Sequence, residues 1–146
     1  MLIREVGYST VYMGRPAHGS DLLEELTSVC VDKGVVLGRI EALGAVRKAT
    51  IGYYDQQSRA YEFSVHDKPC EILNLTGNVS IRDGSPLVHA HVSLADYSGN
   101  AFGGHLAPGT TVFACEYIIQ AFTGETLVRE QDSETGLPLW REHGDA

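Results

Sequence analysis

The 146-residue chain has few cations for its length. It contains 11 Lys and Arg against 19 Asp and Glu, which gives a formal net charge of -8 at pH 7, and its cations form no run. Proteins that hold nucleic acid mainly by neutralising phosphates are usually basic on at least one face. The composition therefore argues against a large nucleic-acid-binding surface and leaves room only for a small basic patch.

Cysteines and long apolar runs are also scarce. Cys30, Cys70 and Cys115 are odd in number and widely spaced, so they match neither a disulfide framework nor a zinc knuckle. Arg4 and Glu5 fall where a signal peptide would need an apolar run, and no stretch approaches the roughly 18 apolar residues of a membrane span. We expect a cytoplasmic protein in a reducing compartment, without a membrane segment.

The remaining composition is that of one folded, soluble domain. Hydrophobic residues make up 43% of the chain and charged residues 21%, as in ordinary globular proteins, and no repeat or linker divides residues 1–146. Residues 125–146 are more acidic, with six acids against two arginines and hence a net charge of -4. Because Trp140 and nearby leucines give this segment apolar surface to bury, we expect it to pack on the domain.

One helix has recognisable signals at both ends. Between positions 21 and 33, apolar residues recur at i, i+1, i+4, i+7 and i+8 and so share one face. Asp21 suits the N-cap, with Glu24 three residues later in capping-box spacing, and Gly34 suits the position after the C-cap. The pattern predicts an amphipathic helix over residues 21–33 that packs on a sheet.

Most of the remaining chain has strand patterns, separated by turn signals that include Gly77. A hairpin is predicted around the polar loop 55–58, because its second arm alternates apolar and polar residues. The first predicted strand is interrupted by Gly38 and Gly44. The predicted strands cover residues 35–46, 49–54, 59–65, 70–76, 78–82, 86–95, 101–106 and 110–122.

The most informative stretch is residues 88–94, where apolar and polar residues alternate strictly. Alternate side chains of a strand point to opposite faces, so His89 and His91 share one face with Ser93 and the aliphatic residues share the other. A shift of one residue would bury the histidines and expose the aliphatic residues. The pattern therefore fixes which face meets the core.

A third histidine, His105, follows 14 residues after His91, beyond a turn-rich loop of five residues. If this loop joins a hairpin with Ala95 opposite Ala101, paired positions sum to 196. His91 then lies directly opposite His105, at the Cβ separation of about 4.5 to 5.5 Å found for cross-strand neighbours. His89 lies one same-face step along, so the three imidazoles are predicted to converge.

Three neutral imidazoles with an open fourth position are a known way to hold Zn²⁺, and imidazole also suits Ni, Cu and Fe. Two alternatives stand beside a metal site on these histidines. A bulge at Gly103-Gly104 would move His105 by one residue, and His89 and His91 alone could be exposed polar residues on an edge hairpin. The position of His105 favours the metal. The other histidines are assigned no role because they lie in loop or tail contexts: His18, His66 and His143.

Glu116 lies inside the apolar run 112–119. A carboxylate in such a run needs a partner such as a histidine N–H, an arginine or a metal, which makes Glu116 a candidate catalytic acid or base. An ordinary solvated position explains it equally well. Asn78 is better interpreted as turn chemistry, and Arg47 and Arg82 as residues of a solvated face.

At these residues the chain resembles the PPC domain family, named for plants and prokaryotes, and in particular its stand-alone prokaryotic members. The resemblance covers nearly the whole chain, and the H-x-H followed by G-G-H is its most specific part. The segments that carry it are residues 44–46, 51–55, 71–78, 89–94, 103–106 and 113–116.

The resemblance implies a compact α/β (α+β) fold, with a mixed, largely antiparallel sheet flanked by a helix, assembled as a homotrimer. Prokaryotic members similar to this chain carry a metal at the histidine cluster, which places the metal on His89, His91 and His105. The family has no settled biochemical activity. Its members are often labelled DNA-binding because plant relatives add an AT-hook, a short arginine-rich arm that reads the minor groove.

The chain departs from the AT-hook pattern, which needs an Arg-Gly-Arg-Pro core. It offers only Gly14-Arg15-Pro16 followed by Ala17, and a turn explains a single arginine there better than a DNA-binding arm. We therefore expect a trimeric metal-binding domain, with zinc as the expected ion and a position open to a water or small-molecule ligand. The alternative is a DNA-binding or protein-interaction module whose metal is structural or incidental. Whether the protein is an enzyme stays open.

Overall fold

The computed structural model describes residues 1–141, so Glu142, His143 and Asp145 of the acidic C-terminal segment lie outside the described residues. The described chain forms one helix and nine strands. In chain order they are β1 (Gly7–Gly14), α1 (Leu22–Asp32), β2 (Gly38–Asp55), β3 (Ala60–His66), β4 (Cys70–Arg82), β5 (Ser85–Ala95), β6 (Ala101–Leu106), β7 (Thr111–Thr123), β8 (Arg129–Gln131) and β9 (Pro138–Trp140).

Seven strands form one sheet in the order β1-β7-β2-β4-β5-β6, with β3 paired to β2. The first part of the long strand β2 lies between β7 and β4. Its last part pairs with β3 on one side and with β6 on the other, where Gly52 faces His105. The strands β2, β4, β5 and β6 therefore close into a ring, and β8 and β9 form a separate hairpin.

The predicted largely antiparallel sheet with one flanking helix is confirmed. Every pairing between the strands of the described chain is antiparallel. The mixed character implied by the resemblance is reduced to one parallel contact, an isolated bridge between Ile81 and Val128. This bridge joins the end of β4 to the segment that leads into β8.

Helix α1 is confirmed within a residue at each end. The Asp21 carboxylate accepts hydrogen bonds from the backbone N–H groups of Leu23 and Glu24, at 3.0 and 3.1 Å, and so satisfies two free donors of the first turn. Within the described residues, no helix is long and apolar enough to cross a membrane. The fully buried face of α1 consists of Leu22, Leu26 and Cys30.

The alternation along β5 is also confirmed. The four aliphatic residues of the stretch 88–94 are at most 7% exposed and belong to the same buried cluster as the apolar face of α1. On the other face of β5, His91 and Ser93 are exposed and His89 is half-buried. The core therefore lies on the helix side of β5, and the histidines lie on the opposite side.

Two glycines that were predicted to interrupt strands let neighbouring strands approach closely, and at Gly44 the pairing of β2 with β4 also shifts register. A Cβ on Gly77 would lie 2.5 Å from the carbonyl oxygen of His89, and one on Gly44 would lie 2.3 Å from that of Ala114. The predicted break at Gly77 is wrong, since β4 runs through it. Strand β2 likewise joins the predicted strands 35–46 and 49–54, but it begins only at Gly38. A glycine needed for close approach and a glycine needed for a turn look the same in one sequence.

Strand β1 was not predicted. It lies at the edge of the sheet beside β7, and nearly all its residues are exposed. An edge strand with no buried face has no need for alternating hydrophobicity, which is the signal that identifies half-buried strands.

Candidate metal centre

The hairpin of β5 and β6 brings the three predicted histidines together. Its register runs without a shift from Ala95–Ala101 to His91–His105, as the loop length predicted. The bulge considered at Gly103-Gly104 is absent from this register. A Cβ on Gly103 would lie 2.2 Å from the carbonyl oxygen of Val92, and one on Gly104 would lie 2.7 Å from that of Gly52. The glycines before His105 therefore let β6 fit between β5 and β2.

The cluster of His89, His91 and His105, called the histidine cluster below, has the form of a metal site. Its ring centroids lie 5.1 to 5.5 Å apart, with the rings steeply inclined to one another. One potential ligand nitrogen from each ring lies within 4.8 Å of the others. It is the one such group of histidine, cysteine or carboxylate ligands in the described chain.

Burial keeps two of these imidazoles neutral. Desolvation first, and the nearby Arg129 guanidinium second, lower the pKa of His89 from 6.5 to about 4. The pKa of His105 is also lowered, chiefly by burial and then by His91 and Arg129. Metals bind the neutral imidazole, so at pH 7 both side chains are in the form that a metal requires.

The Nδ1 atom of His105 supports the same interpretation. It is buried without a hydrogen-bond partner in the described chain, and the Tyr61 ring packs beside the imidazole at 4.9 Å between centroids. An unsatisfied buried polar atom costs about 1 to 3 kcal/mol. Zinc fits this donor set, because neutral imidazole nitrogens are ordinary zinc ligands and three of them leave one tetrahedral position open.

A fourth residue at the cluster, Arg129 of β8, was missed by sequence reasoning. Its side chain is buried, at 8% exposure, and its guanidinium packs 5.4 Å from the Trp140 ring. It donates hydrogen bonds to Ser80 Oγ at 2.8 Å, to Asn78 Oδ1 at 2.9 Å and to the backbone oxygen of Pro138 at 2.9 Å. The C-terminal hairpin thus delivers a buried cation to the histidines.

Arg129 also fixes the proton on His89. A guanidinium can only donate hydrogen bonds, so His89 Nδ1, at 3.3 Å from Arg129 Nη2, is the acceptor. The proton of neutral His89 then lies on Nε2. A metal that bound Nε2 would require this proton to move to Nδ1 and so break the contact, whereas one that bound Nδ1 would take the place of Arg129. Arg129 and a metal therefore compete for His89.

The remaining predicted residues lie elsewhere or have other roles. Glu116 is exposed and lines a cavity of about 650 Å³ with Met13, Leu43 and Leu73, called the Met13 cavity below, to which none of the three histidines contributes. Its role as an acid or base stays a prediction. Asn78 was wrongly interpreted as a turn residue: it lies within β4, opposite His89, where its amide oxygen can meet Arg129.

Three comparisons with known proteins bear on this site. A family model for the Plants and Prokaryotes Conserved (PCC) domain matches residues 3–123. The crystal structure of a metal-containing protein from Archaeoglobus fulgidus is 40% identical in sequence, with a TM-score of 0.93, and the match covers 97% of this chain and 100% of that one. The structure of a PPC protein from Pyrococcus horikoshii is 33% identical, with a TM-score of 0.91 and 99% of both chains covered.

A curated relative is the bifunctional protein GlmU of Synechococcus sp. (strain JA-3-3Ab). It is 33% identical over 132 residues, which cover 89% of this chain. The chain spans only 20% of the length of that protein.

Proposed function

The chain belongs to the Plants and Prokaryotes Conserved (PCC, also written PPC) domain family, and we propose that it is a metal-binding member in which the histidine cluster holds one divalent ion, zinc. The observation that carries this function is the convergence of three imidazoles around the buried, unpartnered Nδ1 of His105. The metal-containing relative from Archaeoglobus fulgidus, which is similar over its whole length, supports it.

Three protein ligands leave one position for a water or a small-molecule ligand. When the three histidines hold zinc, the ion supplies Lewis acidity, which lowers the pKa of a coordinated water toward about 7 or polarises a carbonyl or phosphoryl oxygen. The exposed side of His91 leaves an approach from solvent, whereas Tyr61 covers the side of His105. Arg129 contributes a fixed positive charge and hydrogen-bond donors next to His89.

The proposed assembly is a homotrimer. The Met13 cavity supports an assembly of this kind, because Met13, Leu43 and Leu73 are 77%, 59% and 55% exposed there. Adjacent exposed apolar side chains of this size typically mark a protein–protein contact. Light scattering coupled to gel filtration tests the assembly: three chains per particle is the expected result.

Metal analysis of protein purified without a histidine tag tests the metal function. We expect one zinc per chain after loading and dialysis, and loss of that zinc in His91→Ala. The matched control is His66→Ala. His66 was wrongly predicted to lie in a loop: it ends β3 of the same sheet and stacks on Phe102 outside the cluster. Less than stoichiometric zinc in the loaded wild type, or full zinc content in His91→Ala, would contradict the proposal.

The DNA-binding or interaction alternative makes a different prediction for the same variant. If the protein binds duplex DNA, the affinity should fall steeply with salt, because counterion release drives such binding. If the metal is also incidental, His91→Ala should bind DNA as tightly as the wild type. A salt-sensitive gel shift that is indifferent to zinc would favour this alternative over a ligand site at the metal.

A further inference from the structure

Two cavities flank the histidine cluster. The arginines of one are paired with carboxylates, whereas two of the three in the other are not. The larger, about 590 Å³, is lined by His89 and His91 and by Arg4 and Arg39. Arg4 pairs with Glu125 at 2.5 Å, and Arg39 pairs with Glu41. The positive charges beside this larger cavity are therefore neutralised within the chain.

The second cavity, about 420 Å³ and called the arginine cavity below, carries uncompensated positive charge. No carboxylate of the described residues lines it. Arg59 and Arg129 take part in none of the ion pairs found in residues 1–141, and Arg82 has only the exposed Asp83 at 3.6 Å. Its polar lining consists of Arg59, Arg82, Arg129, His89, His105 and two tyrosines.

We propose that the arginine cavity binds the oxyanion group, a phosphate or a carboxylate, of a small anionic molecule. We further infer that the bound anion reaches the open position of the metal, and this part rests on the proposed function. The contacts of the anion with the arginines do not depend on a metal. Guanidinium groups match both oxyanions through paired N–H donors. The shared chemistry of the ligand is thus a small organic anion.

The buried Arg129 is the strongest argument for such an anion. A buried charge is normally paired with an opposite charge, yet the hydrogen-bond acceptors around Arg129 are all neutral. In the metal-free protein these contacts use four of its five N–H groups, which leaves one hydrogen on Nη1 for a ligand. An oxyanion in the cavity would supply the missing negative charge.

The other walls indicate the rest of the ligand. Arg59 and Arg82 are exposed, so an anion can meet them from solvent before it reaches Arg129. Arg59 Nη1 donates to the backbone oxygen of Ser133 at 3.2 Å, which ties the β2–β3 turn to the C-terminal hairpin. Tyr54 and Tyr61, 5.1 Å apart at their centroids, offer aromatic surface beside the arginines. A phosphate or carboxylate attached to an aromatic body therefore fits the cavity.

The cavity also depends on a part of the chain beyond the matched domain. The family model ends at residue 123, whereas Arg129, Leu137 and Pro138 of the arginine cavity lie in the C-terminal hairpin. The matched domain alone therefore does not form this cavity. We therefore expect the residues of the C-terminal hairpin, rather than the three histidines, to determine which anion the arginine cavity binds.

Calorimetric titration with phenyl phosphate, benzoate and benzyl alcohol tests the proposal, on both zinc-loaded and chelator-treated protein. We expect one of the two anions to bind each chain, the neutral alcohol not to bind, and the affinity to fall as salt is raised. Arg82→Gln and Arg59→Gln should each weaken the anion at least tenfold. Arg39→Gln, which removes a charge-paired arginine of the larger cavity, is the matched control and should leave the affinity unchanged.

The test uses the exposed Arg59 and Arg82, because substitution of the buried Arg129 would also remove hydrogen bonds that hold the C-terminal hairpin. Absence of binding by both anions at millimolar concentration overturns the proposal, and so does equal weakening by Arg39→Gln. If the chelator-treated protein binds the anion but the zinc-loaded protein holds no stoichiometric zinc, the anion site is supported and the metal function is contradicted. Stoichiometric zinc without anion binding would have the opposite meaning.

Discussion

The histidine cluster and the Met13 cavity belong to the same sheet, but polar atoms are buried at the first and apolar side chains are exposed at the second. Around the cluster, polar groups are buried: Arg129 is 8% exposed, and His105 Nδ1 has no partner among the described residues. In the Met13 cavity, large apolar side chains are exposed. Both arrangements are unfavourable for an isolated chain, since buried polar atoms lose hydration and exposed apolar surface is not removed from water.

The difference indicates what each region needs. A buried nitrogen or guanidinium is satisfied by an ion or a small polar ligand, whereas an apolar surface is satisfied only by another apolar surface. We therefore propose that the histidine cluster is a ligand site and that the Met13 cavity is an assembly contact. Separate perturbation of the two regions can break or sharpen this division.

Removal of the metal should have the largest effect, and it should be confined to the histidine cluster. With free zinc at 1,000 times its dissociation constant, binding stabilises the folded protein by about 4 kcal/mol. A chelator should therefore lower the melting temperature by about 10 °C or more. Calorimetry of wild type and His91→Ala, with and without chelator, measures this.

The variant supplies the control for that experiment. Because His91→Ala has lost a ligand, its melting temperature should not respond to the chelator. A wild type that melts at the same temperature with and without chelator, despite stoichiometric zinc, would mean that the metal is not coupled to folding.

A charge in the Met13 cavity should have the next largest effect, on assembly alone. Leu73→Lys places an ammonium group in an apolar contact, where an unpaired charge is costly. We expect the trimer dissociation constant to rise at least a hundredfold, which is about 2.7 kcal/mol. Light scattering over a dilution series measures it, and zinc content per chain should stay at one.

The histidine cluster and the Met13 cavity are separable only if zinc binding and subunit assembly do not depend on each other. Lys68→Ala, a change elsewhere on the surface, is the control for nonspecific charge effects. If Leu73→Lys loses zinc together with the trimer, subunits share the metal site, and the division between the two regions fails.

Arg129 should have a smaller effect, and its sign distinguishes two roles. Because the guanidinium holds His89 in the Nε2–H form and repels a dication, Arg129→Gln should raise the zinc affinity about tenfold, or about 1.4 kcal/mol. Competition with a zinc indicator measures this, with Arg39→Gln as the matched control. A tenfold loss of affinity would mean instead that Arg129 positions His89 for the metal.

The site shows which features a single sequence can predict. The facing of His91 and His105 followed from local rules, because alternation has a period of two and a five-residue loop fixes the register of the hairpin. Three of the four polar contacts of Arg129 join residues 40 to 51 positions apart, and no local pattern indicates them. A buried arginine on a short strand of an acidic segment looks like an ordinary surface charge until its neighbours are known.

The strands show the same limit. β5 was predicted because one of its faces is buried, whereas β1 was not predicted because it has no buried face. Gly77 was misinterpreted because its reason, the close approach of the His89 carbonyl, lies on another strand. Local periodicity therefore predicts elements with one buried face and fails where a residue is selected by a distant partner.

Substitution of Glu116 should have the smallest effect and gives the sharpest test of the division. The residue lies on β7 opposite Leu43, exposed in the Met13 cavity, and none of the three clustered histidines lines that cavity. Glu116→Gln keeps the shape and removes the charge, so stability should change by no more than about 0.5 kcal/mol and zinc affinity should not change. Thermal melts and zinc competition measure both.

A tenfold change in zinc affinity would couple the two regions, since a carboxylate can reach a metal in another cavity only if a neighbouring subunit brings the two together. The role of Glu116 as an acid or base would then depend on assembly, and Leu73→Lys should abolish the effect of Glu116→Gln.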